Sequence, residues 1–322
     1  MLALPSNAKL GSYAGARCLV LGGGGFLGTA LVRALADNGA DVTAFARQAV
    51  RPPHLRADAR WLSGDFADAS ALRTALHRQD VVFHLIGSTL PAESNLKPAQ
   101  DIAASIPPTI QMLEICVEAG VKKVVFASSG GTVYGIPHQV PVAETAPTDP
   151  ITAYGISKLA IEKYLSLYRR NHGLDYQVLR IANAYGPGQM PTRSHGVVSH
   201  ILNNALDGIA PQIWGDGSVV RDFVYVDDVV AAFLCGAAYG GEHRLMNVGS
   251  GAGRTILSVA SDLTALVGGP PPALHPGKAR TADVQVNVLD IVLIERETGW
   301  RPQIDWQDGI RETARWLRQL RK

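Results

Sequence analysis

The sequence predicts an α/β protein with a doubly wound parallel sheet and a smaller α/β region in its C-terminal third. Two observations carry this. Short β-rich runs at 18–21, 42–46, 59–62, 81–86, 124–128 and 176–181 alternate with helical patterns, the rhythm of parallel strands joined by crossover helices. Several runs are apolar on both faces, as in Val81-Val82-Phe83-His84-Leu85-Ile86, which suits strands covered by helices on each side. After Arg180 the order loosens into Gly and Pro turns at 186–188, 215–217 and 268–272, where the second region is expected.

With 322 residues the chain has room for one large unit or two domains. A content of 47% hydrophobic and 18% charged residues excludes disorder as the main state. The balance of 30 Lys and Arg against 28 Asp and Glu gives no ground for a surface that tracks nucleic acid. Cys18, Cys116 and Cys235 lie far apart with no CxxC pair, which argues against a disulfide framework and for a reducing cytoplasm. No apolar span is long enough to cross a bilayer, and no basic segment precedes an apolar core at the start. A cytoplasmic protein without a membrane partner is expected.

The first chemical motif closes the first strand. Gly22, Gly25 and Gly28 form a GxxGxxG spacing that opens a helix whose Leu27, Leu31, Ala34 and Leu35 share one face, and Asn38-Gly39 ends that helix. Glycines there allow a tight turn and bring backbone amides to a pyrophosphate at the positive end of the helix. The spacing alone is weak, and its place between strand and helix is what makes it informative. The second strand ends Phe45-Ala46-Arg47, with no carboxylate to meet the adenosine ribose. Arg47 could instead meet a 2′-phosphate, which leans towards NADP and leaves NAD open. Asp65, in Gly64-Asp65-Phe66, is placed to accept from an adenine amino group or to serve as a turn residue.

Tyr154 and Lys158 lie four residues apart at the start of a helical stretch, on one face. A lysine ammonium beside a phenol, helped by an oxidised nicotinamide, favours the phenolate and lowers the Tyr pKa towards working pH. Tyr154 can then take a hydroxyl proton as hydride leaves the same carbon.

Taken in order, GGGGFLG at 22–28, GDFAD at 64–68, HLIGS at 84–88, FASSGGTVYG at 126–135, YGISK at 154–158, LRIANAYGP at 179–187, WGDGSVVRDFVYVDD at 214–228 and RTADV at 280–284 resemble an extended short-chain dehydrogenase/reductase of the NAD-dependent sugar epimerase/dehydratase family. The resemblance spans nearly the whole chain. It implies a Rossmann-type dinucleotide-binding domain over 14–180, with 216–249 returning to it, and a nucleotide-sugar-binding domain over 181–215 and 250–322. It further implies that Tyr154 is the catalytic base and Lys158 its helper. A bound NAD or NADP would meet Gly22, Gly25, Phe26, Leu27, Gly28, Arg47, Asp65, Phe66 and Leu85 as well as that pair. The third catalytic position is read as Ser129 when aligned from the strand and as Gly130 when aligned from TVYG; Ser129 is the choice, with Ser128 and Thr132 in reserve. Substrate contacts fall on Ser88, Ser129, Thr132, Asn183, Arg221, Arg280 and Asp283, the arginines suited to a diphosphate by their forked donors.

Family dehydratases carry an acidic residue just before VYG, where this chain has Gly130-Gly131-Thr132. The resemblance therefore implies a nucleotide-sugar 4-epimerase, acting on a UDP-hexose or UDP-N-acetylhexosamine as a homodimer with a tightly held cofactor. An NADPH-dependent reductase of a nucleotide 4-keto-6-deoxysugar, favoured by Arg47, is the alternative, and a non-catalytic dinucleotide-binding scaffold is another.

The remaining features read as structural. Pro107 and Pro108 stand where the family shows NVxGT, and without amide protons they should kink or start that helix. His84 is expected to be packed and hydrogen-bonded, and Asp227-Asp228 to be a helix N-cap pair. No metal-ligand spacing stands out. The arginines of the last helix, at about 306–320, are expected to be a solvated face.

Overall fold

Strands β1 (Arg17–Leu21), β2 (Asp41–Ala46), β3 (Arg60–Ser63), β4 (Val81–His84), β5 (Lys123–Ser129) and β6 (Asp175–Ile181) arise from the six expected runs. They join a seventh strand, β10 (Leu245–Val248), in the order β10-β6-β5-β4-β1-β2-β3, and every neighbouring pair is parallel. This computed structural model describes residues 13–87, 94–191, 196–275 and 284–321. Strand β4 stops at His84, two residues short of its apolar run, and the chain at Leu85 and Ile86 lies beside Gly22.

Alternate strand residues enter two cores, as a period of two requires. Leu19, Leu21, Val82, Phe126 and Val178 pack with helices α2 (Ala69–Leu76), α3 (Pro98–Ala119) and α4 (Ala153–His172). Val20, Phe83, Val125 and Leu179 face α1 (Phe26–Asp37) and α6 (Val226–Ala238) on the other side. Full burial of each such side chain contributes about 1.5–3 kcal/mol, so the sheet is held from both faces. Helix α1 ends at Asn38, followed by Gly39 at φ +82°, as expected.

Two local placements are settled by the structure. Helix α3 begins at Pro98, so of the two expected effects Pro107 and Pro108 do not start the helix but lie inside it. Leu113, Met112 and Cys116 beyond the prolines are buried against the sheet, and this packing outweighs two missing amide hydrogen bonds. Asp227 and Asp228 lie within the first turn of α6, whose N-cap is Tyr225. The Asp228 carboxylate faces away from the helix end and accepts from the amides of Gln303 and Ile304, at 2.9 and 3.1 Å.

Beyond β6 the chain builds a four-stranded sheet from β7 (Asn183–Tyr185), β9 (Val220–Tyr225), β11 (Gly253–Thr255) and β13 (Val286–Asn287). Strands β8 (Gln212–Trp214) and β12 (Ala273–His275) pair separately. Helices α5 (Val197–Leu206), α7 (Ile256–Val267), α8 (Val292–Thr298) and α9 (Trp306–Leu320) complete this region. Leu202, Leu263, Ile310 and Leu317 join the same core as α1 and α6. Of the segment 216–249, α6 and β10 lie on the large sheet and β9 in the small one. Arg311, Arg315 and Arg321 are exposed and paired with Asp308, Glu312 and Asp207, a solvated face as expected. Among the described residues, no helix is long and apolar enough to cross a membrane.

Candidate active site

The large sheet reverses its strand order between β1 and β4, and the crevice at the C-terminal ends of those strands is where such sheets bind ligands. The glycine loop lies there. A Cβ on Gly28 would collide with the Gly22 carbonyl oxygen, so glycine is what lets α1 start this close to β1. Gly25 caps α1 without a side-chain hydrogen bond, and the amides of Phe26 and Leu27 have no partner among the described residues. Unpaired amides at a helix N-terminus fit a pyrophosphate. Leu85, whose amide donates to Leu21 O at 3.0 Å, closes the loop from the side of β4.

On the adenosine side, Arg47 follows β2 and is exposed, with no side-chain partner among the described residues. Asp65 is exposed and its Oδ1 accepts from Ala67 N at 2.9 Å, so it makes a turn and keeps its second oxygen for another donor. Phe66 is buried, with its ring 5.1 Å from that of His84. From Gly24 and Gly25 a cleft of about 680 Å³ runs past Phe26 to Gly188 and Gln189.

Helix α4 brings Tyr154 and Lys158 to the ends of β4 and β5. Thr152 caps it by accepting from Gly155 N, and Ser94 and Asn95 accept from the amides of Tyr154 and Ala153, at 3.0 and 2.8 Å. A Cβ on Gly155 would stand 2.8 Å from Thr132 O, so the glycine of YGISK lets α4 lie against the 130–132 turn. Lys158 Nζ donates to Ala127 O at 2.8 Å and lies 4.6 Å from the Phe126 ring centre and 5.6 Å from that of Tyr154. Burial pushes the Lys158 ammonium down to about 8, against the raising effects of Asp101 and then Glu162. In the protein alone, burial and then the charge of Asp101 push the Tyr154 phenol up to about 12; the expected lowering includes the charge of an oxidised nicotinamide and refers to the cofactor-bound enzyme.

The three hydroxyls beside this pair differ sharply. Ser128 is buried and donates to Glu162 Oε1 at 2.5 Å. Glu162 is in turn held by Arg180 at 2.6 and 3.0 Å, which commits Ser128 to structure. Ser129 is half-buried and its hydroxyl has no partner among the described residues. The Thr132 hydroxyl is buried and has no partner among the described residues. Gly131 beside it meets nothing where a Cβ would be.

A small cavity joins these elements, with Phe66, His84, Ser105, Tyr154, Ser157 and Lys158 among its walls. Ser105 therefore reaches the site in spite of Pro107 and Pro108. His84 is packed and bonded as expected, with Nε2 3.1 Å from Thr109 Oγ1. In the second region, Asn183 Nδ2 donates to Asp222 O at 2.9 Å, and Arg221 Nη1 to Val284 O at 2.6 Å. Ser88, Arg280 and Asp283 lie outside the described residues. Sequence reasoning missed Asp101, Ser94 and Asn95. Only the polar Ser-Asn pair before α3 hinted at a cap, and nothing in the sequence placed it on α4.

The family model for the NAD dependent epimerase/dehydratase family matches residues 18–249. The chain belongs to this family. It is 34% identical over 303 residues to a putative UDP-glucose 4-epimerase of Methanocaldococcus jannaschii, covering 93% of this chain and 98% of that protein. Among solved structures, it is similar to UDP-glucose 4-epimerase of Thermotoga maritima with UDP-glucose, at TM-score 0.90 and 35% identity, over 95% of this chain and 100% of that one. It is also similar to the Thermus thermophilus UDP-glucose 4-epimerase complex with NAD, at TM-score 0.87 and 32% identity, over 94% and 99% of the two chains. As a member of this family the chain is an NAD-dependent enzyme, and the uncapped start of α1 is the part of its site that fits the cofactor's pyrophosphate.

Proposed function

We propose that this enzyme is a nucleotide-sugar 4-epimerase acting on a UDP-hexose or UDP-N-acetylhexosamine. One observation carries the choice within the family: the turn that follows β5 and lies against α4, where family dehydratases carry an acidic residue, is Gly130-Gly131-Thr132. Dehydration needs a second acid or base at the sugar. Epimerisation at C4 needs one group that takes a proton and returns it.

In this reading Tyr154 removes the C4 hydroxyl proton and later gives it back. Bound NAD would supply the acceptor for the hydride leaving the sugar C4 and the donor for its return once the 4-keto sugar has turned over in its pocket. Lys158, cationic and held by Ala127 O, stabilises the phenolate. Ser129 and Thr132, whose hydroxyls are unengaged among the described residues, bind the sugar. Arg221 holds the diphosphate, Asn183 contacts the nucleotide-sugar phosphates, and Arg280 with Asp283 forms the clamp on the ribose and phosphate. The dinucleotide site occupies 14–180 with the returning α6 and β10, and the remaining segments hold the nucleotide sugar. The exposed apolar Ile102 on α3, with Ile156 and Leu167 on α4, supports a homodimer through these helices. The three buried cysteines, all free, support a cytoplasmic setting.

Proton NMR of the purified protein with UDP-glucose and with UDP-N-acetylglucosamine, without added reductant, tests this. New anomeric signals of the galacto isomer are expected. Silence on both, with NADPH consumed on a nucleotide 4-keto-6-deoxysugar, would replace the epimerase by the reductase.

A further inference from the structure

We propose that Gln48 reads the adenosine ribose of the bound dinucleotide, its carboxamide acting where the end of β2 offers no carboxylate. The proposal concerns the cofactor of an NAD-dependent enzyme and does not depend on which sugar is turned over.

The ribose presents two hydroxyls, each a donor and an acceptor. In sheets of this kind an acidic residue about 20 positions beyond the glycine loop accepts from the ribose. Here β2 ends at Ala46, and Arg47, which follows, has donors only. Gln48 is the next residue, and its side-chain amide both donates and accepts. Asp65 follows the edge strand β3, with one oxygen already engaged by Ala67 N.

The fold lays Gln48 on the glycine loop. The amides of Gly22 and Gly23 both donate to Phe45 O, at 2.9 and 3.1 Å, which ties the loop to the end of β2. Just beyond, the Gln48 carboxamide lies against Gly24: a Cβ there would stand 2.8 Å from Gln48 Oε1 and 3.0 Å from Cη2 of the Trp61 ring. Trp61 lies on β3 in register with Ala44 of β2, so both strands and the loop converge on one point. Gln48 is exposed there, with no hydrogen-bond partner among the described residues. The same loop leaves the amides of Phe26 and Leu27 for the pyrophosphate. One methylene joins that pyrophosphate to the adenosine ribose, so a group that meets the ribose hydroxyls has to stand beside the loop, as Gln48 does.

A neutral carboxamide differs from a carboxylate in what it refuses. A carboxylate repels the dianionic 2′-phosphate of NADP, whereas an amide N–H can donate to it. Gln48 therefore holds the ribose of NAD without building in the exclusion of NADP.

The test is calorimetric titration of cofactor-stripped wild type, Gln48→Ala and Gln48→Glu with NAD, with its 2′,3′-dideoxyadenosine analogue and with NADP. Gln48→Ala should weaken NAD roughly tenfold, the effect of losing a neutral hydrogen bond, and should leave the dideoxy analogue within about twofold. Gln48→Glu keeps the acceptor and adds a charge, so NAD should stay within about threefold while NADP weakens at least about tenfold. Equal weakening of NAD and the dideoxy analogue by Gln48→Ala would mean that Gln48 only shapes the loop, and it would overturn the proposal. So would a Gln48→Ala protein that binds NAD as the wild type does, or a Gln48→Glu protein that still binds NADP as the wild type does. Gln48 is exposed, so neither change disturbs a core, and binding is read without turnover.

Discussion

The Thr109 hydroxyl donates to the Ser105 carbonyl at 2.6 Å while standing 3.1 Å from His84 Nε2. A hydroxyl has one proton, so His84 Nε2 must be the donor in the second contact, and the ring proton is fixed there. Nδ1 is buried with no partner among the described residues. The ring lies between Phe66 and Phe126, at 5.1 and 5.2 Å, so it is a neutral spacer under the site and no proton donor to substrate.

This has a consequence for stability. Burial, then the Lys158 charge, holds His84 at about 3, against an ordinary 6.5. Its folded-state pKa is depressed, so below pH 6.5 the unfolded chain takes up a proton that the folded one refuses. The contribution is full above pH 6.5 and is lost as pH falls towards 3. At pH 5 the loss is roughly 2 kcal/mol. Urea unfolding at pH 7.5 and pH 5 should show this drop in the wild type and a drop smaller by about that amount in His84→Gln. Equal drops in the two proteins would assign the acid sensitivity elsewhere.

Tyr154 starts from a phenol pushed up to about 12, so nothing in the protein alone makes it a base at neutral pH. Tyr154→Phe should lower kcat at least about 100-fold, with the NAD content of the purified protein unchanged. Single-turnover absorbance at the nicotinamide band separates the two properties. A variant that turns over near the wild-type rate would remove Tyr154 from its role.

The large sheet was legible because strand and helix periodicities are local properties: six apolar runs gave six strands, and GxxGxxG marked the uncapped start of α1. Tyr154 and Lys158 were legible for the same reason, sharing one helix face. Asp101 was not, because its meaning depends on α3 lying beside α4, a contact 56 residues apart in sequence. The burial of the Tyr154 phenol, which raises its pKa in the protein alone, was not legible, because charge proximity can be guessed from spacing while desolvation cannot. Pro107 and Pro108 do not start α3, because the buried face of the helix extends it to both sides of them. Ser129 was preferred to Ser128 on alignment from the strand alone; the fold adds that Glu162 takes the Ser128 hydroxyl.

Glu162 and Arg180 form an ion pair with side chains 4% and 3% exposed. The Arg180 guanidinium also lies 4.6 Å from the Tyr134 ring centre. Its Nη1 has no hydrogen-bond partner among the described residues, so loss of the carboxylate would strand a buried cation. Glu162→Gln should therefore cost roughly 3–5 kcal/mol of stability, whereas the apolar double replacement Glu162→Leu with Arg180→Met should recover most of it. Urea unfolding of the three proteins decides this. A double variant no more stable than Glu162→Gln would show that the pair itself, and not the penalty of an unmatched charge, holds β5, α4 and β6 together.

Arg47 bears on cofactor choice. It follows β2 at the place where a ribose-binding carboxylate would stand, and its guanidinium is exposed and unengaged among the described residues. Membership of an NAD-dependent family and the lack of any carboxylate after Ala46 point in different directions, and one variant separates them. NAD carries a neutral 2′-hydroxyl there, so Arg47→Ala should leave its affinity within about threefold. NADP carries a dianionic 2′-phosphate, and loss of a charge-assisted bond of about 1.5–3 kcal/mol should weaken it roughly 10- to 100-fold. Calorimetric titration of cofactor-stripped protein with each dinucleotide reads both numbers. Equal weakening of NAD and NADP would mean that Arg47 supports the adenosine site as a whole and does not read the 2′ position.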